Sequence, residues 1–219
     1  MNLNIYRALF SACIVAAFLS ACATKPDTTE LLPTQTIAER EAALKAFKPW
    51  RALGSITLES VQEGKFNANY SWDASDQGFD IKLFGPLGIR LVHLSEDDNG
   101  AQLTDRERTI RGRDASTLLA SILGFDVPVK QMQDWAVGLP GDAQQLNRDD
   151  QGRLDDMVVV DNNTSWQVDF RQYTVLDNMY LPKSVFIQGE GVTIKLSFEK
   201  WSRGKPVDSG RLSIPGVDT

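Results

Sequence analysis

Histidine occurs once in these 219 residues and cysteine twice, a scarcity that removes most enzymatic chemistry at the outset. The one histidine, His93, stands between Val92 and Leu94 in an alternating run. Without a second histidine, a Cys–His pair or clustered carboxylates, metal hydrolysis and histidine-dependent nucleophilic catalysis lack their usual parts. No catalytic residue, metal or cofactor is therefore expected, and the chain does not read as an enzyme. His93 reads as a structural or surface residue. No glycine-rich phosphate loop follows a strand. The acidic runs Glu96-Asp97-Asp98, Asp149-Asp150 and Asp155-Asp156 read as solvated turn and surface charge. Positive charge is also short: 23 Lys and Arg against 29 Asp and Glu leave a net charge of −6, which argues against a nucleic-acid partner. The only long apolar run, Ala8 to Phe18, is too short to span a bilayer.

That run does fit the hydrophobic core of a secretory signal, preceded by Arg7 and closed by Leu19-Ser20-Ala21-Cys22. The closing motif resembles the lipobox of bacterial lipoproteins, cut before a cysteine whose sulfur carries a diacylglycerol. Cleavage after Ala21 would remove Cys13 and leave Cys22 alone, so neither a disulfide framework nor a cysteine zinc site is possible. The mature chain would hold 219 − 21 = 198 residues, and loss of Arg7 would move the charge from −6 to −7. Ala23 to Thr36, rich in Pro and Thr, reads as a tether with an r.m.s. span of roughly 20 Å. The expected organisation is thus a signal peptide (1–21), a lipidated N-terminus and tether (22–36) and one domain (37–219). In lipoproteins with this cleavage site an Asp after the cysteine signals inner-membrane retention. Ala23 stands there instead, so the outer membrane is expected.

After the tether, Thr36 and Glu39 have capping-box spacing and open a helix with an apolar stripe of Ile37, Leu44 and Phe47. Glu41 sits four residues before Lys45, the spacing of a helical ion pair, and Pro49 ends the helix. From Arg51 the period changes to two. Strands are predicted over Ala52–Val61, Lys65–Trp72, Phe79–Phe84, Ile89–Ser95, Ala101–Thr104 and Arg108–Arg111. Asp114 caps a helix over Ala115–Leu123 that Gly124 stops, and Pro128 starts another that ends at Gly138. Strands return at Leu154–Val160, Ser165–Arg171, Lys183–Gln188 and Val192–Trp201. The pattern is α+β: one strongly curved antiparallel sheet with helices over its concave, apolar side.

All five tryptophans lie in the mature chain, and together with Phe and Tyr at alternating positions they read first as an ordinary filled core and second as the wall of a ligand cavity, which composition does not separate. In Leu83-Phe84-Gly85-Pro86-Leu87-Gly88-Ile89, Pro86 presets a turn and Gly88 permits a positive φ, which holds Leu87 at the tip. Such a residue either packs on a neighbour or protrudes as an apolar finger for a membrane or partner.

The lipobox, the capped helix, Phe84-Gly85-Pro86-Leu87-Gly88 and Trp135-Ala136-Val137-Gly138-Leu139-Pro140-Gly141 together resemble the LolB family of outer-membrane lipoprotein receptors. The resemblance runs over essentially the whole mature chain, through Leu154 and the late strand with Lys195-Leu196. It implies an unclosed antiparallel β-barrel with a helical lid and a hydrophobic cavity. It also implies a monomeric receptor that takes lipoproteins from the periplasmic carrier LolA and inserts their acyl chains into the outer membrane, with Leu87 matching the family's insertion-loop leucine. On strand and helix alternation, Phe66, Tyr70, Trp72, Trp135, Phe186, Ile194 and Leu196 are assigned to the cavity. Two other readings stay open from the residues themselves: an envelope scaffold lipoprotein that binds proteins with a filled core, and, less well supported, a hydrolase.

Overall fold

The computed structural model describes residues 35–205 apart from Glu63 and Asn162; the expected signal peptide, Cys22 and nearly all of the tether lie outside the described residues. Helix α1 (Ile37–Lys45) starts as its sequence requires, with Thr36 Oγ1 accepting from the Glu39 amide at 3.2 Å and the Glu39 carboxylate accepting from the Thr36 amide at 2.9 Å. The apolar stripe is narrower than expected. Leu44 and Phe47 are buried, whereas Ile37 is exposed. Glu41 turns away from Lys45 and accepts from Arg148 at 2.6 Å, because a guanidinium in a partly buried setting makes a stronger partner than a solvated ammonium. Buried Arg40 donates to the Gln151 carbonyl at 2.5 Å and lies 5.4 Å from the centre of the Tyr180 ring.

The strands are β1 (Trp50–Ser60), β2 (Gly64–Ser75), β3 (Gly78–Phe84), β4 (Arg90–Asp97), β5 (Gly100–Thr104) and β6 (Thr109–Gly112), then β7 (Gln145–Arg148), β8 (Leu154–Asp161), β9 (Thr164–Leu176), β10 (Met179–Gly189) and β11 (Val192–Arg203). They form one sheet in the order β6-β5-β4-β3-β2-β1-β11-β10-β9-β8-β7, antiparallel at every pairing. β6 and β7 remain as unjoined edges, so the barrel is unclosed, as expected. Helices α2 (Ala115–Leu123) and α3 (Val129–Val137) connect the halves; α2 packs on β4–β6 and α3 on β10. Asp114 caps α2 through the Thr117 amide at 2.8 Å, and Gly124 and Gly138 take the left-handed conformation that ends each helix.

Residues paired across strands share a face, so the register sorts the interior into rows. One row runs Leu103, Leu94, Ile81, Trp72, Ala52, Trp201. Another runs Phe66, Leu58, Ile194, Ile187, Val168, Met157. The two rows lie toward opposite ends of the barrel. The first end is filled with aromatics. Trp50 meets Trp72 and Trp201 edge-to-face at 5.2 and 5.4 Å, and Phe198 stacks on Trp201 at 4.6 Å. Phe47, after α1, closes this end against Trp201 at 6.3 Å.

Gly54 makes that packing possible. The Tyr70 hydroxyl crosses it to donate to the Ser197 carbonyl at 3.1 Å, and a Cβ at Gly54 would lie 1.9 Å from that carbonyl oxygen and 2.8 Å from the Tyr70 oxygen. Gly54→Ala is therefore expected to cost at least about 2 kcal/mol, since overpacking a filled core forces backbone to move. Urea denaturation checks this, and an unchanged midpoint would contradict the packing described.

Candidate functional site

The end opposite the aromatic floor is where the turns β1–β2, β3–β4, β5–β6, β8–β9 and β10–β11 all lie, by the antiparallel register. Burial fades toward it on one side only. Ile194, Ile187, Val168 and Met157 are fully covered, whereas Leu58, on the same row, is only partly buried and Phe66 is 39% exposed. Ile56, Leu83 and Val92 on the sheet, and Leu119 and Phe125 at α2 and just beyond it, are likewise apolar and partly buried. With α2 over β4–β6 and α3 over β10, the inner side chains of β1 and β2 are left partly exposed at this end.

Two of the cavities that open there bear on this half-covered region. One, of about 370 Å³, is bounded by Gln62, Ala120, Phe125, Asp126, Trp166 and Glu190. The other, of about 390 Å³, lies between Ile56, Asn67 and Ala68 and the Phe84–Gly88 turn. Both fall in the size range of small-molecule sites.

The Pro86–Gly88 turn carries the finger. Pro86 has no amide hydrogen to continue the ladder. The turn is instead closed by the Gly85 amide donating to the Ile89 carbonyl at 2.9 Å and the Gly88 amide to Gly85 at 3.2 Å. Leu87 is 98% exposed, with Ile89 half-exposed beside it, and Val61 at the neighbouring β1–β2 turn is 89% exposed. The positive φ expected at Gly88 is there, at 72°, but Leu87 itself also has φ 60°. A left-handed leucine is strained by roughly 1–2 kcal/mol, so the tip is held against both backbone preference and hydrophobicity.

The residues assigned to a cavity on alternation fall into five places. Ile194 and Leu196 lie on the buried inner face, and Phe66 is at its open margin. Tyr70 and Trp72 belong to the filled floor, in contact with each other at 6.4 Å; burial pushes the Tyr70 phenol well above its ordinary pKa, with Glu199 adding to the effect. Trp135 is buried on α3. Phe186 is a correction. Its neighbours Val185 and Ile187 face inward, so Phe186 faces out, sandwiched by Arg171 at 4.3 Å and Lys195 at 5.2 Å. Val185, Phe186 and Ile187 are all apolar, so hydrophobicity alone does not fix which of them faces inward. Ile56 and Leu58, at alternate positions of β1, also line the inner face, and the period-two pattern there is the signal for them.

His93 lies on the outer face, where its Nε2 is 2.6 Å from an Asp80 oxygen and Lys82 binds the other oxygen. Burial alone would raise the Asp80 pKa, but the hydrogen bonds and charges of His93 and Lys82 bring it below the usual carboxylate value. Among the described residues no three of His, Cys, Asp and Glu converge to hold a metal ion, and no helix is long and apolar enough to cross a membrane.

Residues 48–201 match the family model described as Outer membrane lipoprotein LolB. Relatives named Outer-membrane lipoprotein LolB include one from Francisella tularensis subsp. novicida (strain U112), 27% identical over 88% of this chain and 93% of its own length. Another, from Marinomonas sp. (strain MWYL1), is 24% identical over 90% and 98%. A solved structure titled putative outer membrane lipoprotein-sorting protein domain, from Vibrio parahaemolyticus, aligns with TM-score 0.49 at 11% identity, covering 79% of this chain and 93% of that one.

If Leu87 packs on nothing in the folded protein, Leu87→Asn should leave stability unchanged or raise it by up to about 1 kcal/mol, since Asn tolerates the left-handed region. Chemical denaturation reads this out; a loss above about 1 kcal/mol would mean that the leucine is structural.

Proposed function

The chain belongs to the LolB family, and we propose that it accepts lipoproteins from the periplasmic carrier LolA at its open apolar end and uses Leu87 to pass their acyl chains into the membrane. It is a lipoprotein receptor of the outer membrane, acting in lipoprotein localisation. The reading is of a binding and transfer protein, with no bond made or broken. The carrying observation is the 98%-exposed Leu87 on a hydrogen-bonded Pro-Leu-Gly turn beside a partly exposed inner face.

The energetics fit a passive handover. Each buried methylene is worth about 0.8 kcal/mol, so acyl chains need apolar cover at every stage of a crossing through water. Direction then requires only that each acceptor bind more tightly than the last, about 1.4 kcal/mol for each tenfold. An inner face left partly open offers cover while keeping the affinity below that of a bilayer. Entry of Leu87 into the hydrocarbon would contribute on the order of 2 kcal/mol, a contact strong enough to align the open end with the membrane and weak enough to reverse. Acylation of Cys22 and the 22–36 tether would hold the domain near that surface; both remain part of this proposal.

Leu87→Glu is expected to take lipoprotein from the carrier normally and to release it into liposomes at least tenfold more slowly, because a carboxylate at the tip resists entry into lipid. Carrier-depletion and liposome-flotation assays separate the two steps. Normal release by this variant would contradict the role of Leu87, and failure to accept cargo would place the residue at the carrier contact instead.

A further inference from the structure

The wall of the barrel is interrupted beside the finger. β3 pairs with β2 only as far as Asn69 opposite Phe84, yet β2 continues for five more residues, Gly64–Ala68, joined among the described residues to β1 alone. Pro86 is the reason: β3 cannot extend through a residue without an amide hydrogen, and the chain turns away at Gly85. The result is a lateral notch, the cavity of about 390 Å³ between the free edge of β2 and the Pro86–Gly88 turn. Its inner lip is apolar, with Ile56 and Ala68. Its outer lip is polar, with Asn67 accepting from the Thr57 hydroxyl at 2.8 Å. A free strand edge also presents main-chain amides and carbonyls at alternate residues.

Resting on the acyl-chain receptor reading, we infer that this notch is the passage for the junction of the cargo, the diacylglyceryl-modified cysteine and the extended peptide that follows it. The chemistry sorts the two openings. A cargo bound by its acyl chains must still keep its polypeptide in water, so esters, thioether and first peptide groups have to sit at a boundary between apolar and polar surroundings. The esters and amide carbonyls there need donors. The cavity at Gln62 has the Gln62 carboxamide and the Thr164 hydroxyl as donors but sets beside them the carboxylates of Asp126 and Glu190, which when ionised only accept and compete for those donors. The notch offers edge amides and the Asn67 carboxamide, and its free edge can pair with an extended peptide as an added strand. It also runs without interruption from the half-open inner face to Leu87, so chains leaving through it emerge beside the element that meets the bilayer.

Asn67 and Glu190 are both exposed, so Asn67→Cys and Glu190→Cys can each carry a benzophenone maleimide in the full-length chain. With each variant in liposomes, a carrier-loaded lipoprotein labelled in its acyl chains is supplied and the mixture irradiated during transfer. The notch predicts several-fold more labelled adduct from position 67 than from position 190. Adduct mainly from position 190, or from neither while transfer proceeds, overturns the passage and leaves the receptor reading standing. Absence of transfer with the unmodified protein overturns the receptor reading itself.

Discussion

An antiparallel sheet with one apolar face must cover that face, and among the described residues eleven strands curl around three short helices that cannot cover all of it. At the floor the sheet covers itself: Trp50, Trp72, Trp201 and Phe198 meet one another across β1, β2 and β11, and Phe47 closes the end. At the other end Trp166 is buried on β9, α2 and α3 lie over β4–β6 and β10, and the inner side chains of β1 and β2 are left partly exposed. Every functional feature follows from that imbalance. A filled end supplies the stability, and the open end keeps apolar surface available to a lipid.

The turn at Pro86–Gly88 breaks local rules where the imbalance is greatest. A leucine occupies left-handed backbone, points into solvent and is flanked by half-exposed Ile89. Each of these is unfavourable in an isolated soluble domain, and their coincidence at one tip is what a site held for function looks like. The same proline that rigidifies the finger also ends β3 and opens the wall next to it, so one residue sets both the projecting contact and the gap.

Much of this was legible in the sequence, for reasons that are local. Capping at Thr36 and Asp114, stops at Gly124 and Gly138, and period-two alternation in β1 to β4 all act within a few residues. What failed to show was either short and exposed or set by distant pairing. β7, Gln145–Arg148, is a four-residue edge strand with little apolar signal. The β9–β10 hairpin runs five residues beyond Arg171 because Asp177 and Asn178, at φ 49° and 59°, make a tight turn that was not anticipated there. Phe186 went to the wrong face because its neighbours are apolar too. Which end of the barrel is filled depends on β1 pairing with β11, some 140 residues away along the chain, a contact with no local trace. The floor therefore claimed Tyr70 and Trp72, and the open margin fell to Ile56, Leu58, Phe66 and Leu83.

Acyl-chain transfer, as proposed, is the work of exposed apolar surface at one end of an unclosed barrel, in a passive receptor. The most direct test is reconstituted transfer of an acyl-labelled lipoprotein from its purified carrier to liposomes, with and without this protein and without nucleotide. The account predicts that label reaches the liposomes in its presence and stays with the carrier in its absence. Equal transfer in both cases, or a requirement for ATP, would contradict it.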